Sequence, residues 1–373
     1  MSSTLLRRSM SRVARCLWDR DDATSRIRDR LVAEPWFVDR LSVCGLTVSV
    51  EGWSFPQSNP AGFFLNDRPF EKIGYPLARA DVGAAFPQRR NAVMSGFHCQ
   101  SADVTHAYPD GMMKVSRSGD EEAIDSGRNT WFLPDASLHP DLPVDARRFR
   151  VIGNSDATGF LHTGATDFHR LDRIVRKISG QSLWDFDNVL DWGVGCGRLA
   201  RHFPVERRKA LSGCDIDHDN VAWCAANLDG HFVRSSLEPP LPFAGDTFDV
   251  IYGVSVFTHL KEALQDRWLA ELRRVTRVGG LVLATVHGET AVDFLRLPLA
   301  QYRELRAVIA RQGLVVSSAN RQLDGHVERP EEYVNVFHHR DYVARRWSAN
   351  FEVLHVIPGY LFTHDLVVMR RTS

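Results

Sequence analysis

The feature that most constrains the fold is a short apolar segment that runs into an acid and then into three alternate glycines. It spans residues 189–198 and reads VLDWGVGCGR. Glycines at this spacing let the backbone turn sharply and approach a ligand closely, because no side chain stands in the way. The segment therefore predicts a buried strand, a ligand-binding turn and then a helix. A glycine-rich turn that only serves packing is the alternative for this segment taken alone.

A second acid follows at the spacing expected for a ligand that contains ribose. Asp215 ends the next apolar segment, ALSGCD, about eighteen residues beyond Gly197. A carboxylate at the end of a second strand can accept hydrogen bonds from both ribose hydroxyls. A dinucleotide-binding fingerprint would place its third glycine where this chain has Arg198. Binding of a nicotinamide cofactor is therefore the second interpretation.

Around these two segments, apolar strands alternate with amphipathic helices. The strand candidates are NVLDW, ALSGCDI, FDVIYGV and GLVLATV. The helix before the last strand carries an apolar face of Leu264, Trp268, Leu272 and Val275. Such alternation predicts an α/β domain with a mainly parallel sheet and helices on both faces. Ligands of these sheets bind at the carboxyl ends of the strands.

The chain in front of this region has a different pattern. Residues 35–137 contain short apolar stretches cut by Gly, Pro, Asn and Asp, which favours a smaller antiparallel β-rich, sandwich-like domain. This region ends in three prolines, which disfavour both helices and paired β-strands: Pro134, Pro140 and Pro143. We therefore place a domain boundary there and expect the second domain to span residues 138–373.

The first eighteen residues contain four arginines and no acid, with apolar residues on one helical face. This pattern predicts a basic amphipathic helix within residues 1–34. Three interpretations are open: a helix packed on its own protein, peripheral membrane contact through residues 1–18, and an organellar transit peptide.

Composition disfavours several classes of protein. The chain has 46 Lys plus Arg and 46 Asp plus Glu, so no overall positive charge draws it to nucleic acid. No apolar run approaches the ~20 residues that span a bilayer. The six cysteines are scattered without a C-x-x-C pair, which argues against disulfides and a zinc site. We expect a cytoplasmic protein without a metal site or a transmembrane segment.

Further motifs within residues 186–288 resemble the class I S-adenosylmethionine-dependent methyltransferases. Beside the glycine-rich loop and Asp215, they comprise LPFAGDTFD at 241–249 and RVTRVGG at 274–280. The family more often has proline at position 278, where this chain has Val278. The resemblance implies a Rossmann-like, seven-stranded methyltransferase domain with S-adenosylmethionine as its cofactor.

The resemblance also assigns residues to parts of that cofactor. The glycine-rich loop would hold the methionine end, and the end of the second strand the ribose and one face of adenine. The segment before Pro239 would reach the adenine edge, and the end of the fourth strand would flank the sulfonium. In that order the residues are Asp191, Gly193, Gly195 and Gly197, then Asp215 and Ile216, then Ser236 and Leu237, then Gly253 and Val254.

A hydroxyl acceptor needs a general base within hydrogen-bond reach, and histidine is the usual choice. His287 directly follows the fifth strand and should project over the methyl group, so it is the first candidate. His338 is the second, because it follows a long stretch, roughly 290–335, of the kind that forms lids or binding surfaces. His259, after the fourth strand, is the third. For each of them, a histidine that only packs or caps is the alternative.

The acceptor is the least constrained part of the prediction. Segments VSVEGW, PLARADVGAAFP and MSGFHC resemble β-sandwich modules found beside bacterial glycosyltransferases and glycan-tailoring enzymes. Front-domain aromatics could stack on sugars or form the core, namely Trp53, Phe55, Phe63 and Phe64. We expect in-line O-methylation of a saccharide or a glycan-linked small molecule. The alternatives are a natural-product or lipid hydroxyl, an NAD-dependent oxidoreductase and a non-catalytic cofactor-binding module.

Overall fold

A computed structural model describes residues 36–55, 62–86, 91–102, 112–117, 130–132, 141–293, 295, 297–321, 323–326, 329–361 and 363–373. The helix predicted within residues 1–34 therefore lies outside the described residues. Across the described ranges, no helix is long and apolar enough to cross a membrane. The chain divides into two compact units, Met1–Thr130 with Val292–Arg311, and Trp131–Ala291 with Gln312–Ser373.

The first unit is rich in antiparallel strands. Its elements are β1 (Trp36–Cys44), β2 (Thr47–Ser54), β3 (Phe63–Leu65), β4 (Arg68–Pro69), β5 (Lys72–Leu77), α1 (Ala80–Ala85), β6 (Gly96–Ser101) and β7 (Met112–Arg117), and β8 (Thr130–Phe132) reaches the unit boundary. One sheet has the order β1-β2-β6-β5, and a second contains β4, β3 and β7 in that order. All of these neighbouring strands pair antiparallel.

Aromatic side chains form much of the core of this unit. Trp53, Phe55 and Phe63 are almost completely buried, and the Trp53 and Phe55 ring centroids lie 5.3 Å apart. The ring of Phe63, on β3, lies 4.4 Å from that of Phe97, on β6, so the two sheets meet through aromatic contacts. Three of the four aromatics considered for sugar stacking are thus core residues.

The second unit is built on a seven-stranded sheet. The strands of this unit, seven of which form that sheet, are β9 (Val189–Trp192), β10 (Leu211–Asp215), β11 (His231–Arg234), β12 (Phe248–Gly253), β13 (Thr276–Val286), β14 (Leu314–Ala319), β15 (Val334–His338), β16 (Glu352–Leu361) and β17 (His364–Arg370). The helices from residue 141 onward are α2 (Asp145–Ile152), α3 (Ala157–Ser179), α4 (His218–Asn227), α5 (Glu262–Val275), α6 (Glu289–Asp293), α7 (Leu299–Gln312) and α8 (Arg340–Trp347), of which α7 falls almost wholly in the first unit.

The strand order of the large sheet is β11-β10-β9-β12-β13-β17-β16, and β14 pairs with β15 in a separate two-stranded sheet. Strands β9 to β13 pair parallel, whereas β17 runs antiparallel to both of its neighbours. The strand order reverses between β9 and β12, which is where such sheets bind ligands. The predicted Rossmann-like sheet of seven strands is confirmed.

Alternation along the strands separates two apolar layers. Val250 and Tyr252 of β12 belong to a buried cluster with Phe168 of α3. Ile251, between them, belongs to the opposite cluster, which also contains the whole predicted apolar face of α5. The predicted apolar face of α5 is therefore confirmed. Successive side chains of a strand point to opposite faces of the sheet, and helices cover each face of the sheet.

The segment after β9 differs from the prediction of a helix. Residues 193–199 form turns, followed by 3-10 segments at Ala200–His202 and Val205–Ala210. Gly195 and Gly197 have positive φ angles of 52° and 76°, which a right-handed helix does not allow. Pro204 follows soon after and lacks the N–H that a continuing helix needs. Too few residues remain between them for an α-helix of ordinary length.

Candidate functional site

A cleft of about 860 Å³, open to solvent, lies at the carboxyl ends of β9, β10 and β12. This is the point of strand reversal, so the sheet topology itself creates the depression. Most of the predicted cofactor residues line the cleft, namely Gly193, Gly195, Asp215, Ile216, Ser236, Leu237 and Val254. Asp191, Gly197 and Gly253 do not line it.

Asp215 fastens the glycine-rich loop to the end of β10. Its Oδ2 accepts the backbone N–H of Gly195 at 2.7 Å, and its Oδ1 accepts that of Asp217 at 2.8 Å. The N–H groups of Gly193 and Val194 donate to the Cys214 carbonyl at 2.8 and 3.0 Å. A carboxylate oxygen has two lone pairs, so each Asp215 oxygen keeps acceptor capacity for a ligand hydroxyl.

The cleft floor requires glycine at two positions. Gly193 has a φ of 83°, and a Cβ there would lie 2.4 Å from Cγ2 of Val256. Gly195 has a φ of 52°, and a Cβ there would lie 2.8 Å from Cγ2 of Val151. Both the backbone conformation and the space exclude a side chain at these positions. The two glycines therefore let Val151 and Val256, which also line the cleft, pack closely against the loop.

Gly197 and Gly253 lie outside the cleft lining and serve the packing around it. A Cβ on Gly197 would lie 2.6 Å from Cδ1 of Leu228, and one on Gly253 would lie 2.7 Å from the Trp192 ring. These glycines therefore allow close packing of the loop and of β12, rather than direct approach of a ligand.

Two acids at this edge of the sheet have raised pKa values. Burial raises the pKa of Asp191 to about 7, although the Tyr252 hydroxyl acts in the opposite direction. Burial also raises the pKa of Asp215 to about 6, against the effect of the N–H groups of Asp217 and Gly195. Each acid loses its proton more readily beside a positive charge or a hydrogen-bond donor. The pair therefore suits a cationic ligand that carries hydroxyl groups.

Helix α2 supplies cleft residues that sequence patterns did not indicate. Arg150 lines the cleft and donates through Nε to Oδ2 of Asp217 at 2.7 Å, with both side chains almost buried. Its Nη2 lies 3.4 Å from Oδ1 of Asn220. Val151, the next residue, packs over Gly195. No local signal marks these residues, because their role depends on α2 lying against a loop more than forty residues later in the chain.

These features fit S-adenosylmethionine. Gly193 and Gly195 form a cradle without side chains in the cleft lining, and Asp215 offers acceptors to ribose hydroxyls. Ile216, Ser236 and Leu237 line the cleft, and the first and last of them would offer apolar contact to adenine. The segment before Pro239 has Ser-Ser-Leu-Glu, so a hydroxyl or a backbone group would be available to the adenine edge, rather than the carboxylate or amide of an Asp or Asn.

Of the three candidate bases, His259 lines the cleft. It ends the 3-10 segment Phe257–His259 that follows β12. Its Nδ1 lies 3.0 Å from the Val334 carbonyl oxygen, and its Nε2 lies 3.4 Å from Oγ of Ser255. Burial and the neighbouring His287 lower its pKa to about 3. His259 is therefore neutral over the physiological pH range.

His287 does not line the cleft. Its ring lies 5.4 Å from that of Phe337 and 4.9 Å from that of His364. Its Nδ1 is buried and has no hydrogen-bond partner among the residues that the structure describes. Burial lowers the pKa of His287 to about 4, partly offset by a backbone hydrogen bond with Val336.

His338 is completely buried and also lies outside the cleft lining. Its Nε2 hydrogen-bonds with the side-chain amide of Gln265. Burial, with a smaller effect of His287, lowers the pKa of His338 to about 3. In this arrangement His338 packs within the unit at the end of β15.

Ser255 and Tyr333 are cleft residues that the sequence prediction did not include. Ser255 follows β12 with a φ of 62°, and its N–H donates to Oγ1 of Thr285 at 2.7 Å. A non-glycine residue in this conformation is uncommon and often belongs to a functional site. Tyr333 lies at the start of β15, and its ring stacks on His259 with centroids 4.2 Å apart.

A known protein family matches the part of the chain that contains most of this cleft. Residues 189–280 match a family model described as a methyltransferase domain. This match begins at β9 and ends in the RVTRVGG motif, so it contains the glycine loop, Asp215 and the end of β12. The second unit thus contains a methyltransferase domain, and S-adenosylmethionine is its cofactor.

Solved methyltransferase structures are also similar to the chain. One from Mesorhizobium loti is 15% identical, with a TM-score of 0.35, over 49% of this chain and 90% of that one. Magnesium protoporphyrin IX methyltransferase from Synechocystis, solved with S-adenosylhomocysteine, is 13% identical, with a TM-score of 0.38, over 60% and 93%. A possible histamine N-methyltransferase from Thermotoga maritima is 15% identical, with a TM-score of 0.36, over 61% and 99%. At TM-scores below 0.5, these likenesses do not bear on the acceptor.

Proposed function

We propose that this chain is an O-methyltransferase that methylates a hydroxyl of a saccharide or a glycan-linked small molecule, with His259 as its general base. One observation carries the proposal: His259 is the candidate histidine that lines the cofactor cleft, as Val254 does. The order of the candidates therefore changes, and His287 and His338 become packing residues in this proposal.

The hydrogen bonds of His259 define its tautomer. A carbonyl oxygen only accepts, so the contact with Val334 requires the proton on Nδ1. A neutral imidazole then carries its lone pair on Nε2, which is the atom near Ser255 in the cleft. An acceptor hydroxyl bound beside Ser255 can therefore donate a hydrogen bond to Nε2.

S-adenosylmethionine supplies an activated methyl group on its sulfonium when it is bound. The residues of the cleft must hold the acceptor oxygen in line with the sulfur–carbon bond and exclude water. The acceptor hydroxyl would become strongly acidic as its oxygen gains the methyl group, and Nε2 of His259 would accept the proton that it loses. A base as weak as His259 is sufficient for such a late proton transfer.

Polar groups around His259 support a polyhydroxylated acceptor. The hydroxyl of Ser255 lies 3.2 Å from that of Thr258 and 3.4 Å from Nε2 of His259. Ser235 and Ser236 add hydroxyl groups elsewhere in the cleft. Such groups can exchange hydrogen bonds with neighbouring sugar hydroxyls. A natural-product or lipid hydroxyl is the second acceptor class, and aromatic stacking by the first unit adds little support because Trp53, Phe55 and Phe63 are buried.

The test begins with ligand-dependent melting temperatures. S-adenosylmethionine and S-adenosylhomocysteine should raise the melting temperature of the full chain, and NAD should not, because ligands that bind only the folded state stabilise it. Release of S-adenosylhomocysteine is then measured with panels of saccharides, glycosides and lipid alcohols. Stabilisation by NAD alone would instead indicate an oxidoreductase.

The base is tested on the best acceptor of that panel. His259→Gln should lower turnover by about 100-fold while leaving cofactor affinity within a few-fold. His231→Gln is the matched control, because His231 is an exposed histidine at the start of β11. A large turnover loss in His287→Gln, with none in His259→Gln, would return the base assignment to His287.

A further inference from the structure

We propose that Tyr333 is a positioning residue: by stacking on the His259 imidazole it fixes the plane of the ring and so maintains the Val334 hydrogen bond that sets the tautomer. This inference rests on the proposed function for its catalytic consequence. It is a new role for the β14–β15 connection, which the sequence indicated only as a long stretch before β15.

The backbone of Tyr333 is held at both ends. Its N–H donates to the Pro330 carbonyl at 3.0 Å, and its carbonyl accepts the N–H of Asn320 at 2.9 Å. Pro330 begins the 3-10 segment Pro330–Glu332, and Tyr333 follows it directly. The position of the tyrosine backbone is thus defined by local structure that does not depend on a ligand.

Two consecutive residues then hold His259 in different ways. The Tyr333 ring stacks on the imidazole with centroids 4.2 Å apart and an interplanar angle of 28°. The Val334 carbonyl accepts the Nδ1–H of the same imidazole at 3.0 Å. The stack limits rotation of the ring out of its plane, and the hydrogen bond fixes which nitrogen is protonated. Together they direct the Nε2 lone pair into the cleft.

A third contact joins the segment that contains Tyr333 to the segment that contains His259. Glu332 and Lys261 form an ion pair at 2.7 Å. Three successive residues, 332–334, therefore contact either His259 or Lys261. Both partners of the ion pair are partly exposed, so it contributes little to stability. The stack and the carbonyl hydrogen bond must hold the imidazole.

The tyrosine also faces the cofactor end of the cleft. Tyr333 lines the cleft together with Asp215. Burial and the Asp215 carboxylate raise the pKa of the Tyr333 hydroxyl, so the hydroxyl stays protonated at physiological pH. Tyr333 therefore stacks on the proposed base and lies within electrostatic range of the acid that would bind ribose.

The consequence differs from that of an ordinary core residue. Without the ring, the imidazole can rotate about its side-chain bonds, and the Nδ1–H contact with Val334 is no longer enforced. Turnover should fall, while the residues that hold the cofactor keep their contacts. Tyr333→Phe preserves the stack and removes only the hydroxyl, so it should restore the behaviour of the wild-type chain.

The decisive measurement is nitrogen NMR of the full chain labelled at histidine, with S-adenosylhomocysteine bound. The signals of His259 are assigned from their loss in His259→Gln. We expect a single Nδ1-protonated tautomer in the wild type and in Tyr333→Phe, and a mixture of tautomers in Tyr333→Leu. Tyr342→Leu is the matched control, because Tyr342 is a buried tyrosine that does not line the cleft; it should leave the His259 signals unchanged.

Calorimetry with S-adenosylhomocysteine shows whether each variant retains the folded site, and we expect affinities within about threefold of the wild type. An unchanged tautomer in a folded Tyr333→Leu variant overturns the inference. On the acceptor found above, Tyr333→Leu should lower turnover at least tenfold, with little change in the KM for S-adenosylmethionine. Because the tautomer is read without any acceptor, this test can succeed even if His259 proves not to be the base, so the two proposals fail separately.

Discussion

Asp215 accepts the backbone N–H of Gly195 at 2.7 Å, which joins the carboxyl end of β10 to the loop that follows β9. The acid predicted to bind ribose is therefore also the acid that shapes the glycine loop. A ligand that contacts Asp215 would therefore affect both the end of β10 and the glycine loop. Substitution of this residue should consequently affect more than one part of cofactor binding.

We expect Asp215→Ala to weaken S-adenosylmethionine binding by roughly 30- to 1,000-fold, because a charged acceptor of hydrogen bonds is worth ~2–4 kcal/mol. Titration calorimetry measures the loss. Asp219→Ala is the control, since Asp219 is an exposed acid four residues later. Wild-type affinity in Asp215→Ala would remove this residue from the site.

Gly195→Ala should lower cofactor affinity at least tenfold, because the new Cβ would lie 2.8 Å from Cγ2 of Val151 and would displace this side chain of the cleft lining. Gly279→Ala separates this effect from backbone strain: Gly279 has a φ of 84°, with nothing within 4 Å of the added Cβ. It should cost only ~1–2 kcal/mol of stability and leave affinity unchanged. Equal affinity losses in the two variants would contradict the cradle.

Cofactor affinity should rise as the pH rises from about 5.5 to 8. The pKa values of about 7 for Asp191 and about 6 for Asp215 leave both acids partly protonated in that range, whereas the cationic cofactor favours their ionised forms. Binding should therefore release protons, which calorimetry in buffers of different ionisation enthalpy detects. Asp191→Asn should remove the upper part of the pH dependence. An affinity that is constant over this range would count against the assignment of the acids.

The free energy of unfolding should increase between about pH 4.5 and 6. His259, His287 and His338 have folded pKa values of about 3, 4 and 3, below the usual 6.5, so the unfolded chain binds more protons and acid favours unfolding. Asp191 and Asp215 have the opposite effect on the free energy of unfolding, because their raised pKa values let the folded state hold protons that the unfolded chain loses. His364, whose pKa burial also lowers, adds to the effect of the histidines, and Asp172, whose pKa burial raises, adds to that of the acids. Four histidines thus outnumber three acids, and the net effect is on the order of 1 kcal/mol per pH unit.

Urea unfolding of the full chain, followed at several pH values, measures this slope. The opposite slope would mean that the histidines are not buried in their neutral form. The two contributions can also be separated, since a variant such as Asp191→Asn should make the slope steeper by removing one of the opposing acids.

A chain that begins at residue 138 should still bind S-adenosylmethionine, because every residue that lines the cleft belongs to the second unit. The segment Val292–Arg311 belongs to the first unit, however, and buries Tyr302 and Ile309. We therefore expect the shortened chain to be less soluble, and Tyr302→Ser with Ile309→Asn to improve its solubility. A soluble shortened chain that fails to bind the cofactor in calorimetry would show that the proposed boundary at residue 138 is wrong.

The cofactor end of the site could be predicted from sequence because its signals are local. A strand that runs into alternate glycines, and a second strand that ends in an acid, must bring those residues to one edge of a parallel sheet. Gly193, Gly195 and Asp215 accordingly line one cleft. The apolar face of α5 could also be predicted from sequence, because the spacing of its apolar residues depends only on the geometry of the helix.

The acceptor end depended on contacts between distant parts of the chain. His287 has the expected position after β13, yet packing against Phe337 and His364 leaves it outside the cleft lining. His259 gains its orientation from Tyr333 and Val334, more than seventy residues later. Sequence alone determined the parallel sheet and the residues of the cofactor loop, since these follow from backbone geometry and strand order. Only the tertiary structure decided which histidine reaches the cleft, because this depends on how β15 and its preceding turn pack against the end of β12.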